Sequence, residues 1–151
     1  MAVGAFDPPL FKHPNPLYSS YTSIPISATA KLVTVAGQVA DDPETNEVPI
    51  GLAAQLDVCL TRLTAILDHA GAAKTDLTRL MYYIAQPAID ELDGKEGESA
   101  ALTLIATKVG AWLEGHRPAS CYLRVFGMSE DKYCCEFECM AVVGNKQSMN
   151  Y

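Results

Sequence analysis

Read along the chain, strands give way to a helix, a strand, a second helix and two final strands. That order predicts an α+β fold, a mixed sheet with two helices on one face. Three observations carry the prediction. Residues 51–70 repeat apolar side chains at three- and four-residue steps (Leu52, Leu56, Cys59, Leu60, Leu63, Ile66, Leu67, Ala70), with Asp57, Thr61, Arg62 and Asp68 on the other side, as in an amphipathic helix. Residues 119–126 and 135–141 alternate with the two-residue period of a strand. Residues 31–39 (KLVTVAGQV) are rich in β-branched side chains and read as a buried strand.

The first 30 residues hold Pro8, Pro9, Pro14, Pro16 and Pro25 and read as an extended arm over the surface, with a short edge strand at 21–26. Gly37, inside strand 31–39, marks a bulge or a close backbone approach. Residues 41–49 (DDPETNEVP) are a turn or loop, and Gly71 is a natural stop for the first helix. Residues 77–85 (LTRLMYYIA) read as a strand ended by Pro87. A polar loop with Asp90, Glu91, Asp93, Gly94 and Glu96 then leads to a second helix over 98–113, closed by Gly115, and Pro118 blocks helical continuation. No internal repeat stands out, and residues 1–151 are expected to form a single domain.

Composition excludes several classes. A formal charge of −7 with no basic run argues against a nucleic-acid partner, because phosphate contacts need clustered Lys and Arg. No window approaches the 18 or so apolar residues of a membrane span. The N-terminus lacks the basic and apolar regions of a signal peptide. Five cysteines, an odd number, then read as reduced thiols in a cytoplasmic protein. With no Cys-x-x-Cys pair and no spaced histidines, no metal site and no cofactor are expected. His13, His69 and His116 fall in an arm, a helix end and a loop, and Trp112 reads as core.

The last two strands are where chemistry is expected. Glu136 and Glu138 must share a face, and Ser120, Tyr122, Arg124 and Phe126 share one face of the preceding strand, opposite Ala119, Cys121, Leu123 and Val125. The expected arrangement puts Ser120, Tyr122 and Arg124 with Glu138, and Cys121 toward the helices. Two helices cover only one face of a sheet. Tyr122, Phe126 and Met140 on the other would be costly to leave in water at about 25 cal/mol per Å². A closed homo-oligomer burying that face is therefore predicted, with ligand pockets at subunit boundaries.

Four segments together resemble the reactive intermediate deaminase family, also called Rid or YjgF-like: VAGQVADDPETNEV at 35–48, GLAAQLDVCLTRLTAILDHAGA at 51–72, HRPASCYLRV at 116–125 and CEFECMAVV at 135–143. The resemblance runs from about residue 21 to residue 143. It implies a chorismate-mutase-like fold assembled as a homotrimer whose sheets form a central barrel, with pockets between subunits. It also implies hydrolysis of amino-acid-derived enamines and imines to 2-oxo acids and ammonia, without metal or organic cofactor. The family's acid on the last strand matches Glu138, and its N-terminal aromatic matches Tyr21 or Tyr18. The substrate-binding arginine of the Pro-Ala-Arg-Ser-type motif is absent: the chain reads Pro118-Ala119-Ser120-Cys121, so Ser120 stands in its place. A serine hydroxyl cannot replace a bidentate guanidinium.

Glu138 is the principal candidate, a general acid or holder of the attacking water whose carboxyl should titrate high in a sheltered cleft; the alternative is a structural bridge to Arg124. Ser120, Tyr122, Arg124, Tyr21 and Arg117 are the candidate substrate-binding residues. Ser120 would bond a neutral group, Tyr122 would narrow the pocket or simply pack, and Arg117 would reach the rim. Two functions follow. One is a divergent small-molecule enzyme, an imine or enamine deaminase-like hydrolase or a diverged isomerase or cyclase. The other is a non-catalytic trimeric module for ligand or protein binding. Ribonuclease activity is disfavoured by the acidic balance and the lack of paired histidines.

Overall fold

The computed structural model describes residues 2–9, 17, 19–42, 44–96 and 100–144. Six strands form one sheet: β1 (Gly4–Phe6), β2 (Tyr21–Pro25), β3 (Ala30–Gln38), β4 (Leu77–Ala85), β5 (Ala119–Val125) and β6 (Cys135–Gly144). The helices are α1 (Leu52–His69), α2 (Gln86–Glu96) and α3 (Ala100–Leu113). The sheet order is β1-β2-β3-β6-β4-β5, with β4 and β5 parallel and every other pair antiparallel. A parallel pair needs a crossover of a dozen or more residues, which α2 and α3 supply. The α+β class and mixed sheet are those the sequence predicts.

Three expectations change. The N-terminal segment contributes β1 as well as β2, so the strand beginning at Tyr21 is not at the edge. Residues 86–96 are helical where a polar loop was predicted, giving three helices instead of two. Pro87 is tolerated because it sits in the first turn, where its missing N–H has no intrahelical partner to lose. Ala88 and Ile89 of this helix are buried and Leu92 packs against the core. The last helix is described over Ala100–Leu113. His13, Tyr18, Glu98, Pro14 and Pro16 lie outside the described residues.

The core lies between α1 and one face of the sheet. Leu56, Cys59, Leu63, Ile66 and Leu67 pack there with Val33, Val35, Leu80, Ile84, Phe137 and Cys139. Gly71 ends α1 at φ +71°, as its position predicts. Lys31 donates to the last-turn carbonyl of Ala70 at 2.7 Å, placing a cation at the negative end of the helix. Buried Gln55 joins three segments that sequence reading left separate: its amide nitrogen donates to Pro49 O at 2.9 Å and Lys132 O at 2.8 Å, and its oxygen accepts from Cys134 N at 2.7 Å. The turn into β6 is thereby fixed to α1. Trp112 is half-buried as core, its indole donating to Thr64 Oγ1 at 2.8 Å. All five cysteines are free, and no helix among the described residues is long and apolar enough to cross a membrane.

Candidate functional site

Register decides which side chains meet. Directly paired residues in neighbouring strands share a face of the sheet. On β6 the odd residues Cys135, Phe137, Cys139 and Ala141 are buried beneath the helices, which leaves Glu136, Glu138 and Met140 on the open face. Met81 pairs with Glu138 on one side and with Cys121 on the other, so those three share the open face. Tyr83 pairs with Glu136 and Leu123, and Arg79 with Met140 and Ala119.

Ser120, Tyr122 and Arg124 are opposite Leu80, Tyr82 and Ile84, whose partners on β6 are Cys139, Phe137 and Cys135. They therefore lie on the helix-covered face, away from Glu138, and the facing expected for β5 is reversed. Cys121, expected beneath the helices, shares the acids' face. Ser120 turns its hydroxyl back to Pro118 O at 3.1 Å. Tyr122 packs against Tyr82, ring centroids 5.7 Å apart, beside the core. Arg124 cannot bridge to Glu138 from the other side of the sheet. Tyr21, opposite Val35, is also on the covered face, where its hydroxyl bonds to His69 Nδ1 at 3.1 Å. Arg117 is an exposed residue of the loop entering β5.

The partner that sequence reading missed is Tyr83. Its hydroxyl donates to Glu138 Oε1 at 3.3 Å. Burial first, then the nearby charge of Glu138, holds the phenol above its ordinary range, so it remains a donor. The alternation of 77–85 with that of 135–143 contained this signal once the two strands were known to be neighbours. Glu136 is the carboxyl that is pushed up, by burial and then by Glu138 two residues away. It lies over Gly37 at the bulge between Val35 and Gln38, so close that a β-carbon on Gly37 would come within 1.8 Å of Glu136 Oε1. Gly37 is therefore the close backbone approach its sequence position predicts.

Beside Glu138 is a cavity of about 80 Å³ whose lining includes Thr34, Arg79, Met81, Glu138 and Met140. At roughly 30 Å³ per water it admits a few waters or the polar end of a small molecule. The same face also carries apolar side chains, Leu123 39% and Val142 37% exposed among them. Among the described residues no group of three His, Cys, Asp or Glu side chains is placed to hold a metal. His116 Nε2 donates to Leu77 O at 2.8 Å and His69 is engaged by Tyr21, so the two described histidines are far from pairing with each other.

A profile of the family described as endoribonuclease L-PSP matches residues 14–143. The chain belongs to this family. Its fold is similar to that of yeast Mmf1, with a TM-score of 0.75 at 14% identity over 93% of this chain and 98% of that one. It is similar to E. coli TdcF, solved with bound serine, at 0.67 and 20% identity over 88% and 92%. The E. coli YjgF gene product gives 0.62 at 23% identity over 83% and 87%. At these identities the likeness is one of fold, the chorismate-mutase-like arrangement. No curated protein matches the sequence. Ser120 lies on the face opposite Glu138, and the β5 residue paired with Arg79 on the open face is Ala119.

Proposed function

We propose that this L-PSP family member is a small-molecule enzyme that hydrolyses reactive imines or enamines, with its site on the open face of the sheet. The observation that carries the reading is the Tyr83–Glu138 hydrogen bond at 3.3 Å, on an apolar face with a small adjoining cavity. A carboxylate held by a phenol in such a place can accept a proton from a water attacking the C=N carbon. Returning that proton to nitrogen gives the carbinolamine, and moving the carbinolamine's hydroxyl proton to nitrogen by the same carboxylate breaks the C–N bond as the C=O forms, releasing ammonia. An enamine enters the same route once protonated at carbon. Glu138 is the catalytic residue in this scheme. Glu136, which keeps its proton to higher pH, is a second proton source two residues away. Tyr21, Ser120, Tyr122 and Arg124 support the fold and stand outside this site.

The open face, carrying Met81, Met140, Leu123 and Val142, is proposed to pack against two further copies in a homotrimer, shielding the acid pair. A single domain over residues 1–151 and a reducing cytoplasmic setting for the five free thiols complete the proposal. The serine in the TdcF structure, an amino acid, is of the size this reading requires. The alternative is a non-catalytic trimeric binding module on the same scaffold.

The test is ammonia release from 2-aminoacrylate and 2-iminobutyrate generated enzymatically, with and without the protein. Acceleration that falls at least tenfold in Glu138→Gln supports the enzyme. No acceleration with retained ligand binding establishes the binding module instead, and cleavage of an RNA substrate would replace both.

A further inference from the structure

Five of the basic side chains among the described residues are already engaged. Lys31 holds the end of α1, Arg62 pairs with Asp41, Lys74 with Glu114, Lys108 with Asp57 and Lys132 with Glu130. Arg124 is on the covered face and Arg117 is outside the strands. Arg79 differs from all of these. It projects from β4 onto the open face, opposite Met140 and Ala119, and is one step along the strand face from Met81, which pairs with Glu138.

Arg79 and Glu138 are therefore diagonal neighbours, with Cα atoms on the order of 7–8 Å apart. That is within reach of a long side chain, yet no ion pair joins them, and among the described residues Arg79 has no acidic partner. Glu138 accepts from Tyr83 instead. Both side chains line the cavity of about 80 Å³, together with Met81, Met140 and Thr34. Its lining thus offers a guanidinium, a phenol-bound carboxylate and flexible thioethers.

We infer that Arg79 is the binding residue for a small carboxylate ligand seated in this cavity, its guanidinium taking the ligand's carboxylate while Glu138 and Tyr83 face the ligand's nitrogen or carbonyl end. The guanidinium fork matches a carboxylate bidentately, and the Glu138 carboxylate favours a hydrogen-bond donor or a protonated nitrogen. The ligand class is a short 2-imino, 2-amino or 2-oxo acid. The loss of an arginine from β5 is thus answered from the neighbouring strand, at the position paired with Ala119. The inference deepens the proposed function and rests on it for turnover, whereas binding tests it directly.

Full-length protein carrying [methyl-¹³C]methionine is titrated with 2-oxobutyrate and, in parallel, with its uncharged amide. The Met81 and Met140 methyls report the cavity, and the Met128 methyl, in the turn before β6, serves as control. The expected result is saturable shifts of Met81 and Met140 with 2-oxobutyrate and binding at least about 10-fold weaker for the amide, as loss of a charge-assisted pair requires. Arg79→Gln weakens 2-oxobutyrate by a similar factor, and Arg79→Lys falls between. Arg79 is exposed and has no hydrogen bond or ion pair among the described residues, so an unchanged Met128 signal shows the variants folded. The inference is overturned if wild type shows no saturable shift, if the amide binds equally well, or if Arg79→Gln binds like wild type. Arg79-dependent binding without ammonia release supports it while ending the hydrolase reading.

Discussion

The carboxylate of Glu136 lies over the backbone of Gly37, where the bulge in β3 brings the two strands together and a β-carbon would come within 1.8 Å of Oε1. Gly37→Ala is expected to drive the Glu136 side chain outward, because its carboxylate is the movable partner. Urea unfolding should show a loss of about 1 kcal/mol. In a double-mutant cycle with Glu136→Ala, most of that loss should disappear. Additive effects would show that the two residues do not oppose each other.

Glu136 also gives the fold a pH dependence. Its carboxyl is raised by burial, so the folded chain holds this proton more tightly than the unfolded chain. The stability this contributes is whole below the ordinary glutamate value of about 4.3 and is lost as pH rises through the folded-state value. Glu136→Gln cannot ionise. Its Tm should therefore gain on that of wild type as pH is raised from about 4 to 8, and a constant difference across that range would contradict the assignment.

Tyr83→Phe removes the donor to Glu138 without changing the shape of the face. At 3.3 Å this is a modest bond, so kcat for ammonia release should fall by about 3- to 10-fold with little change in KM. A rise in KM with kcat unchanged would place Tyr83 in substrate contact and outside the chemistry.

Gln55 is buried and makes three hydrogen bonds to two loops. Gln55→Leu keeps the volume but strands the Cys134 N–H and two carbonyls. The expected cost is roughly 2–4 kcal/mol by denaturant unfolding. Gln55→Glu, which sets a buried carboxylate against the Pro49 and Lys132 carbonyl oxygens, should cost at least as much.

Leu123 and Val142 belong to the open face proposed to pack between copies. Leu123→Asp with Val142→Asp should shift sedimentation from trimer to monomer and lower ammonia release with it. A wild-type protein that sediments as a monomer would remove the barrel.

The sequence made much of this legible. The 18 residues of α1 and the nine of β4 read clearly, because a long amphipathic period and a β-branched alternation leave few alternatives. The alternation of β6 was equally clear, since its odd residues are buried and its even ones are not. β5 was a different case. Ser120, Tyr122 and Arg124 look polar enough to be solvent-facing, and Ala119, Cys121 and Leu123 look apolar enough to be core. As an edge strand, however, β5 buries neither face well, and only its pairing with Met81 and Tyr82 sets the phase. A one-residue error in phase moves every side chain to the other face. That is why Ser120, Tyr122 and Arg124 were placed with Glu138, whereas Tyr83 was missed because nothing in the sequence makes β4 and β6 neighbours. The helix at 86–96 was hidden by Pro87, read as a terminator when it stands in a first turn.

Among the described residues β6 is the last strand in sequence, yet it lies between β3 and β4 in the sheet. Until residues 135–144 emerge from the ribosome, β3 and β4 have no shared neighbour, and Leu80 and Val33 face an incomplete layer. The nascent chain must therefore wait with two unpaired strand edges, a condition that invites chaperone capture or intermolecular pairing. The carboxylates come into place with the strand that closes the sheet, so a partial translation product would lack both the acids and the middle of the layer that holds them.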